Sequence, residues 1–136
     1  MDFMTPGERS RRMGLIKSRD TLPELAVRKM VHGLGYRFRL YEASLPGRPD
    51  IVFTRKRKVI FVHGCFWHLH RGCRNSRPPK SRLEYWGPKL EGNVKRDKLV
   101  RRRLLRLRWK CLIVWECELS NPDKLTRRIT AFLEPI

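Results

Sequence analysis

Lys58-Val59-Ile60-Phe61-Val62-His63 runs directly into Gly64-Cys65-Phe66-Trp67-His68-Leu69-His70-Arg71-Gly72-Cys73, and the change of character at Gly64 decides the fold. Within the first six residues Val59 to Val62 form a short apolar run, three of its four residues β-branched, which reads as a core strand. From Gly64 to Pro79 periodicity disappears, and cysteine, histidine, glycine, arginine and proline take over. Such a segment cannot pack by apolar burial alone and points to a bound metal.

Upstream, Thr21-Leu22-Pro23-Glu24 has the spacing of a capping box. Val27, Met30, Val31 and Leu34 follow at helical intervals and Gly35 supplies the stop, so a helix is predicted over 22–34. Tyr36 to Tyr41 alternates polar with apolar and predicts a strand. Leu45-Pro46-Gly47-Arg48-Pro49 is a turn that leads into the short buried strand Asp50-Ile51-Val52-Phe53, joined to the next by basic residues 55–58. Downstream, a helix is predicted over 93–107, with Val100, Leu104 and Leu107 on one line. Lys110 to Trp115 is a further buried strand. Asn121-Pro122 opens a last helix that carries Leu125, Ile129 and Phe132 inward. The pattern predicts a single α/β domain over 20–136, a mixed sheet flanked by helices, preceded by a basic arm, residues 1–19, that becomes ordered on its partner.

That partner is implied by charge. With 32 Lys+Arg against 13 Asp+Glu the formal net charge is +19. Nucleic acid is the natural counterpart, because each phosphate neutralised releases condensed counterions. No run approaches the roughly 18 apolar residues of a membrane span, and Met1-Asp2-Phe3 does not open a secretory signal, so an intracellular, cytoplasmic protein is expected. In that compartment Cys65, Cys73, Cys111 and Cys117 read as metal ligands rather than disulfides.

Cys65-x4-His70-x2-Cys73 places three zinc ligands within nine residues. A structural zinc site takes four N/S ligands; Cys117 is the best fourth, while Cys111 lies mid-strand as a small hydrophobe. Asp50, fixed where a rigid turn meets a strand, suits Mg²⁺ shared with a phosphate, or else caps its turn. His63 and His68 flank the Gly64-Cys65-Phe66-Trp67 segment; one is suited to general-base chemistry, the alternative being surface positions or positions that only support the site. Asp97 falls on the inward line of its helix and requires a histidine or arginine partner. Glu24 serves the capping box or a metal. Phe66 and Trp67, adjacent on a loop, suggest wedges for insertion between base pairs, and Trp86 either joins them or belongs to the core.

Four strings, Leu45-Pro46-Gly47-Arg48-Pro49-Asp50, His63-Gly64-Cys65-Phe66-Trp67-His68, Asn93-Val94-Lys95-Arg96-Asp97 and Val114-Trp115-Glu116-Cys117, closely resemble the very short patch repair endonucleases in order and separation, from about Arg11 to Phe132. The resemblance implies a fold akin to type II restriction endonucleases. It implies a Mg²⁺-dependent nick beside the thymine of a T·G mismatch in duplex DNA, the lesion left by deamination of 5-methylcytosine. Asp50 would be the central Mg²⁺ ligand, helped by the backbone carbonyl of Val62. His68 would be the general base, supported by Asp97, His63 and Glu24. Cys65, His70, Cys73 and Cys117 would hold structural Zn²⁺. Phe66, Trp67 and Trp86 would be the wedge, with Met13 entering from the other groove. The protein is expected to act as a monomer, with mismatch-repair proteins as a candidate partner class. Two departures stand out: valine replaces the family's threonine at position 62, and no lysine follows Asp50 in the restriction-type pattern, Phe61-Val62-His63 occupying that stretch. The competing readings are a zinc-stabilised DNA-binding module without catalysis, and a homing or defence nuclease acting on paired DNA.

Overall fold

Thr21 starts the first helix as its spacing predicts. In the computed structural model, which describes residues 20–73 and 83–134 with the side chains of 83–86 left out, α1 spans Leu22–Gly33. The Thr21 hydroxyl accepts from the Glu24 amide at 3.3 Å. The return half of the box differs: the Glu24 carboxylate accepts from the amide of Asp20, at 2.8 Å, rather than from that of Thr21. Tyr41 and Arg28 donate to the same oxygen, which draws Glu24 inward until it is buried.

The strand expected over Tyr36–Tyr41 is only β1, Arg39–Leu40, antiparallel to β2, Ile51–Phe53. Tyr36 and Phe38 instead pack edge-on against Phe53, each at 6.3 Å, and Tyr41 turns away at φ 49°. Those contacts favour rings over ladder bonds and shorten the strand. β2 pairs antiparallel with β3, Lys58–His63, and β3 pairs parallel with β4, Lys110–Trp115, from Lys58↔Lys110 to His63↔Trp115. The sheet order is β1-β2-β3-β4, and mixed as expected.

α2, Leu83–Arg106, begins ten residues before the expected start at 93. Gly87-Pro88 resembles a break, since an interior proline loses one main-chain bond and crowds the carbonyl four residues back, yet the helix runs through it. Leu90, fully buried on the next turn, anchors the segment that the proline weakens. Leu104 lies on the buried stripe, but Leu107 falls past the helix end and is exposed.

β3 is buried at all six positions because both faces of the sheet are covered. Ile60 and Val62 join Val27 and Val31 of α1 and Leu125, Ile129 and Leu133 of α3, Pro122–Leu133. Val59 and Phe61 face the other way, onto Val52, Leu104 and Trp109. In α3 Leu125 and Ile129 face inward as expected, but the third fully buried residue is Leu133, with Phe132 half-buried against the cluster. A 3₁₀ turn, Glu116–Ser120, links β4 to α3. The result is a single α/β domain in which no described helix is long and apolar enough to cross a membrane.

Candidate active site and metal centre

The site begins at a glycine. Gly47 has φ +75°, and a Cβ there would lie 2.5 Å from Val100 Cγ1, so the turn rests directly on α2. Arg48 follows in the left-handed region at φ 46°, and the chain then delivers Asp50 to the head of β2. There the Val62 amide of β3 donates to Asp50 Oδ2 at 2.7 Å. The Asp50 carboxyl is pushed up to about 7, first by burial and then by the facing Glu24 carboxylate, with the Val62 amide pulling the other way. Two carboxylates brought together away from water are unfavourable alone and are the usual donor set for a hard divalent cation. Their chemistry therefore fits Mg²⁺.

Glu24 is itself tied down. Its Oε2 accepts from the Asp20 amide, from Arg28 at 3.2 Å and from the Tyr41 hydroxyl, while Arg28 also donates to that hydroxyl and pairs with Asp20 at 2.9 Å. Asp20, Tyr41, Arg48 and Leu69, all with positive φ, flank the site, as backbone strain often does where function fixes geometry. Tyr41 carries no sequence signal for this role, since long-range contacts bring it here, whereas Arg48 arrives with the turn that delivers Asp50.

His68 comes from the loop after β3 and Asp97 from α2; His68 Nδ1 and Asp97 Oδ2 are 2.6 Å apart. With the carboxylate accepting, Nδ1 carries the proton and Nε2 keeps its lone pair, the arrangement a general base requires. His63, the last residue of β3, stacks on His68 at 3.8 Å and 8°. Burial, then the nearby His68, push the His63 imidazole down to about 3, so it is neutral. His63, His68 and Asp97 could be taken for a metal triad. The short His68–Asp97 hydrogen bond and the His63–His68 stack give the same three residues a role that needs no ion.

A cavity of about 440 Å³ gathers these groups: Glu24, Asp50, Val62, His63, His68 and Asp97 line it. Arg48, Arg96 and Arg101 line it too. Asn93, Arg96, Asp97, Val100 and Arg101 recur at helical spacing along one side of α2, a periodicity visible in the sequence that the apolar stripe obscured. A second cavity of about 420 Å³ shares Glu24, Val62, His68, Asn93 and Arg96 with the first and adds Phe66 and Trp67.

Phe66 and Trp67 form an edge-to-face pair at 4.9 Å, half-buried, with Asn93 donating to the Trp67 carbonyl at 2.9 Å and Lys89 over the Trp67 ring. Trp86 falls on α2 with its side chain outside the described part, and Met13 and the basic arm lie outside the described residues altogether.

Beyond the pair, backbone bonds from His70 to Cys65 and from Cys73 to His70 curl the loop so that its thiols converge. One ligand atom from each of Cys65, His70, Cys73 and Cys117 lies within 4.8 Å of all the others. His70 Nδ1 is 3.6 Å from Cys65 Sγ and 3.4 Å from Cys117 Sγ. A tetrahedral zinc site requires S···N edges of about 3.5 Å, given its bond lengths, and both S···N edges at His70 match it. Burial, reinforced by its neighbouring thiols, pushes the Cys65 thiol up to about 12; a cation reverses that balance and holds thiolates. Cys111 is separate, packed in the second core cluster, its thiol pushed up to about 11 by burial.

Comparison with known proteins decides the lineage. The family described as DNA mismatch endonuclease Vsr matches residues 1–75. The chain belongs to the Vsr family. It is 48% identical to the type II nicking enzyme V.XorIIP of Xanthomonas oryzae, over 98% of each chain. It is also 48% identical to the DNA mismatch endonuclease Vsr of Escherichia coli, over 92% of this chain and 80% of that one. Identity to the type II nicking enzyme V.NmeAIP of Neisseria meningitidis is 36%, over 99% and 96%. Membership of the Vsr family makes the chain a DNA endonuclease by class.

Proposed function

We propose that this enzyme nicks one strand of duplex DNA beside the thymine of a T·G mismatch, in a Mg²⁺-dependent hydrolysis that begins repair of deaminated 5-methylcytosine in the cytoplasm. The observation that carries the reading is the position of His68. It lies where the cavity holding the acid pair meets the cavity holding the Phe66–Trp67 pair, so a base engaged by the wedge and a phosphate at the acids would share one histidine.

Asp50, with Glu24 and the backbone carbonyl of Val62, would hold Mg²⁺, which supplies charge neutralisation at the phosphate and its leaving oxygen. His68 Nε2 takes the proton of the attacking water as the new P–O bond forms and the bond to the leaving oxygen breaks. Asp97 fixes the tautomer of His68, and His63 supports its ring. Arg48, Arg96 and Arg101 present guanidinium groups to the phosphate oxygens, whose geometry they match in pairs. They bring cations to a site where the restriction-type lysine is absent. Cys65, His70, Cys73 and Cys117 hold structural Zn²⁺, and Phe66 and Trp67, joined by Trp86 and Met13, unstack a step that a mispair has already weakened. The restriction-endonuclease-like architecture agrees with a mixed sheet whose hairpin β2–β3 carries the acid.

Strand-resolved cleavage of matched and T·G duplexes with Mg²⁺ tests the reading. One nick is expected, on the thymine strand of the mismatch alone. Asp50→Asn and His68→Ala should each lower nicking by roughly 10²-fold or more while duplex binding persists. Equal cleavage of paired DNA would overturn the mismatch assignment, and full activity of His68→Ala would overturn the base.

A further inference from the structure

An unbroken column of rings joins the cysteine–histidine cluster to the histidine–aspartate pair. His70 stacks on Trp115 at 4.1 Å and 9°. Trp115 meets His63 edge-to-face at 5.2 Å, His63 stacks on His68, and His68 bonds Asp97. Trp115 is the member of the column that β4 contributes, and its backbone is fixed twice. It lies opposite His63 in the parallel ladder, and its amide donates to Glu118 Oε1, the oxygen that also binds Arg128.

The column matters because hydrogen bonds alone leave the base underdetermined. One bond to Asp97 fixes a single direction in the His68 ring and permits rotation about that direction. The second constraint is the face of His63. His63 Nδ1 is buried with no hydrogen-bond partner among the described residues, so packing against Phe61 and Trp115 holds that ring. We propose that Trp115 is a positioning residue for the general base: through His63 it sets the plane of the His68 ring, and through His70 it locks the metal-held loop to the same frame. The inference rests on the reading of His68 as the base and of the loop as a zinc site. It adds that the zinc site acts on catalysis by registering the base, as well as by stabilising the fold.

The test uses the full chain with zinc bound, in variants Trp115→Leu, Trp115→Phe and His68→Ala and the double variant His68→Ala/Trp115→Leu. Zinc content, melting temperature, duplex affinity, kcat and KM are measured for each, with the imidazole proton resonances of His63 and His68 as a direct report of stacking. Leucine keeps the side chain apolar and removes the ring; the volume it gives up is monitored by the melting temperature. It should leave zinc stoichiometric and KM unchanged, shift both imidazole signals and lower kcat roughly ten- to hundredfold, the scale of a small misplacement of a reacting group. Phenylalanine should restore most of kcat and the signals. In the His68→Ala background the leucine change should have no further effect on kcat, since the two act through one group. A Trp115→Leu enzyme with kcat within twofold of wild type would overturn the proposal, as would a kcat loss that merely tracks zinc loss or unfolding, or an additive double variant. If His68→Ala itself kept full activity, the reading of the base would fall and the proposal with it, an outcome separate from failure of the column alone.

Discussion

At Asp50 two demands of the chain oppose each other. The turn that rests on α2 must bring a carboxylate into the cavity, and burial beside Glu24 then resists its ionisation, raising it to about 7. The folded state therefore keeps a proton that the unfolded chain releases from about pH 4 upward. Stability is fully present below that point and falls as pH rises through about 7. Asp50→Asn removes the penalty while an amide oxygen can still accept from Val62. Without metal, the variant should melt roughly 3–8 °C above wild type at pH 8, the scale of a kcal/mol or so in a domain of this size, and the gap should close near pH 4. Mg²⁺ should raise the melting temperature of wild type at pH 8 and leave Asp50→Asn unmoved. Thermal melts at both pH values, with and without Mg²⁺, check this; a less stable variant at pH 8 would mean that the Val62 bond outweighs the buried charge.

Among the elements, those whose burial repeats along the chain were legible in advance. β3 spans the stretch expected of it because an apolar run packed on both faces leaves little room for another structure. β4 also spans its stretch, but of this expected buried strand only Val114 is buried, with Lys110 exposed and the rest half-buried. α1 starts at its capping residue for a local reason, the Thr21 hydroxyl. α2 was half-read, because Gly87-Pro88 signals a break locally and only the burial of Leu90 against the rest of the domain overrides it. The cysteine–histidine cluster was legible for a similar reason of spacing, three of its members lying on one loop, whereas Tyr41 reaches the site through tertiary contacts that no spacing encodes. The stacking of Trp115 on His70 is a contact of the fold that its place beside Cys117 does not announce. The loop's dependence on its crosslink can be measured. Cys117, in the 3₁₀ turn after β4, is the member of the proposed zinc set that would tie the loop to the sheet, so Cys117→Ala should lose zinc and melt well below wild type. Cys111→Ala should keep full zinc content, with only the modest loss of a small buried side chain. Metal analysis with calorimetry distinguishes them, and the reverse result would exchange the two cysteines. The turn before β2 gives a matching test: Gly47→Ala forces a Cβ onto Val100 and should destabilise by about 1–3 kcal/mol, with partial recovery when Val100→Ala opens the space.

For the whole molecule, the formal charge of +19 says that DNA binds but not where, and the answer lies in the sidedness of α2. Lys89, Asn93, Arg96, Asp97, Val100 and Arg101 line the two joined cavities, whereas Arg102 and Arg106 project from the opposite side of the helix and are exposed. The cavities divide the arginine-rich stretch from Arg101 to Arg106, taking Arg101 and adding Arg96 and Arg48. If the duplex enters over the cavities, removing one phosphate-binding cation from that side should reduce the slope of log affinity against log salt by about 1. Arg96→Ala and Arg101→Ala should show that reduction on paired and mismatched duplexes alike, and Arg102→Ala and Arg106→Ala should not. Discrimination should depend on different residues. Phe66 and Trp67 meet the cavity edge as a half-buried pair, and unstacking a base step costs a few kcal/mol, less at a mispair. Phe66→Ala and Trp67→Ala should therefore lower nicking of T·G duplex far more than they lower salt-sensitive binding to paired DNA, leaving the salt slope unchanged. A salt series on both substrates separates the two functions. Full mismatch discrimination in the aromatic variants would return Phe66 and Trp67 to a purely structural role, and an altered slope in Arg102→Ala would place the duplex on the other side of α2.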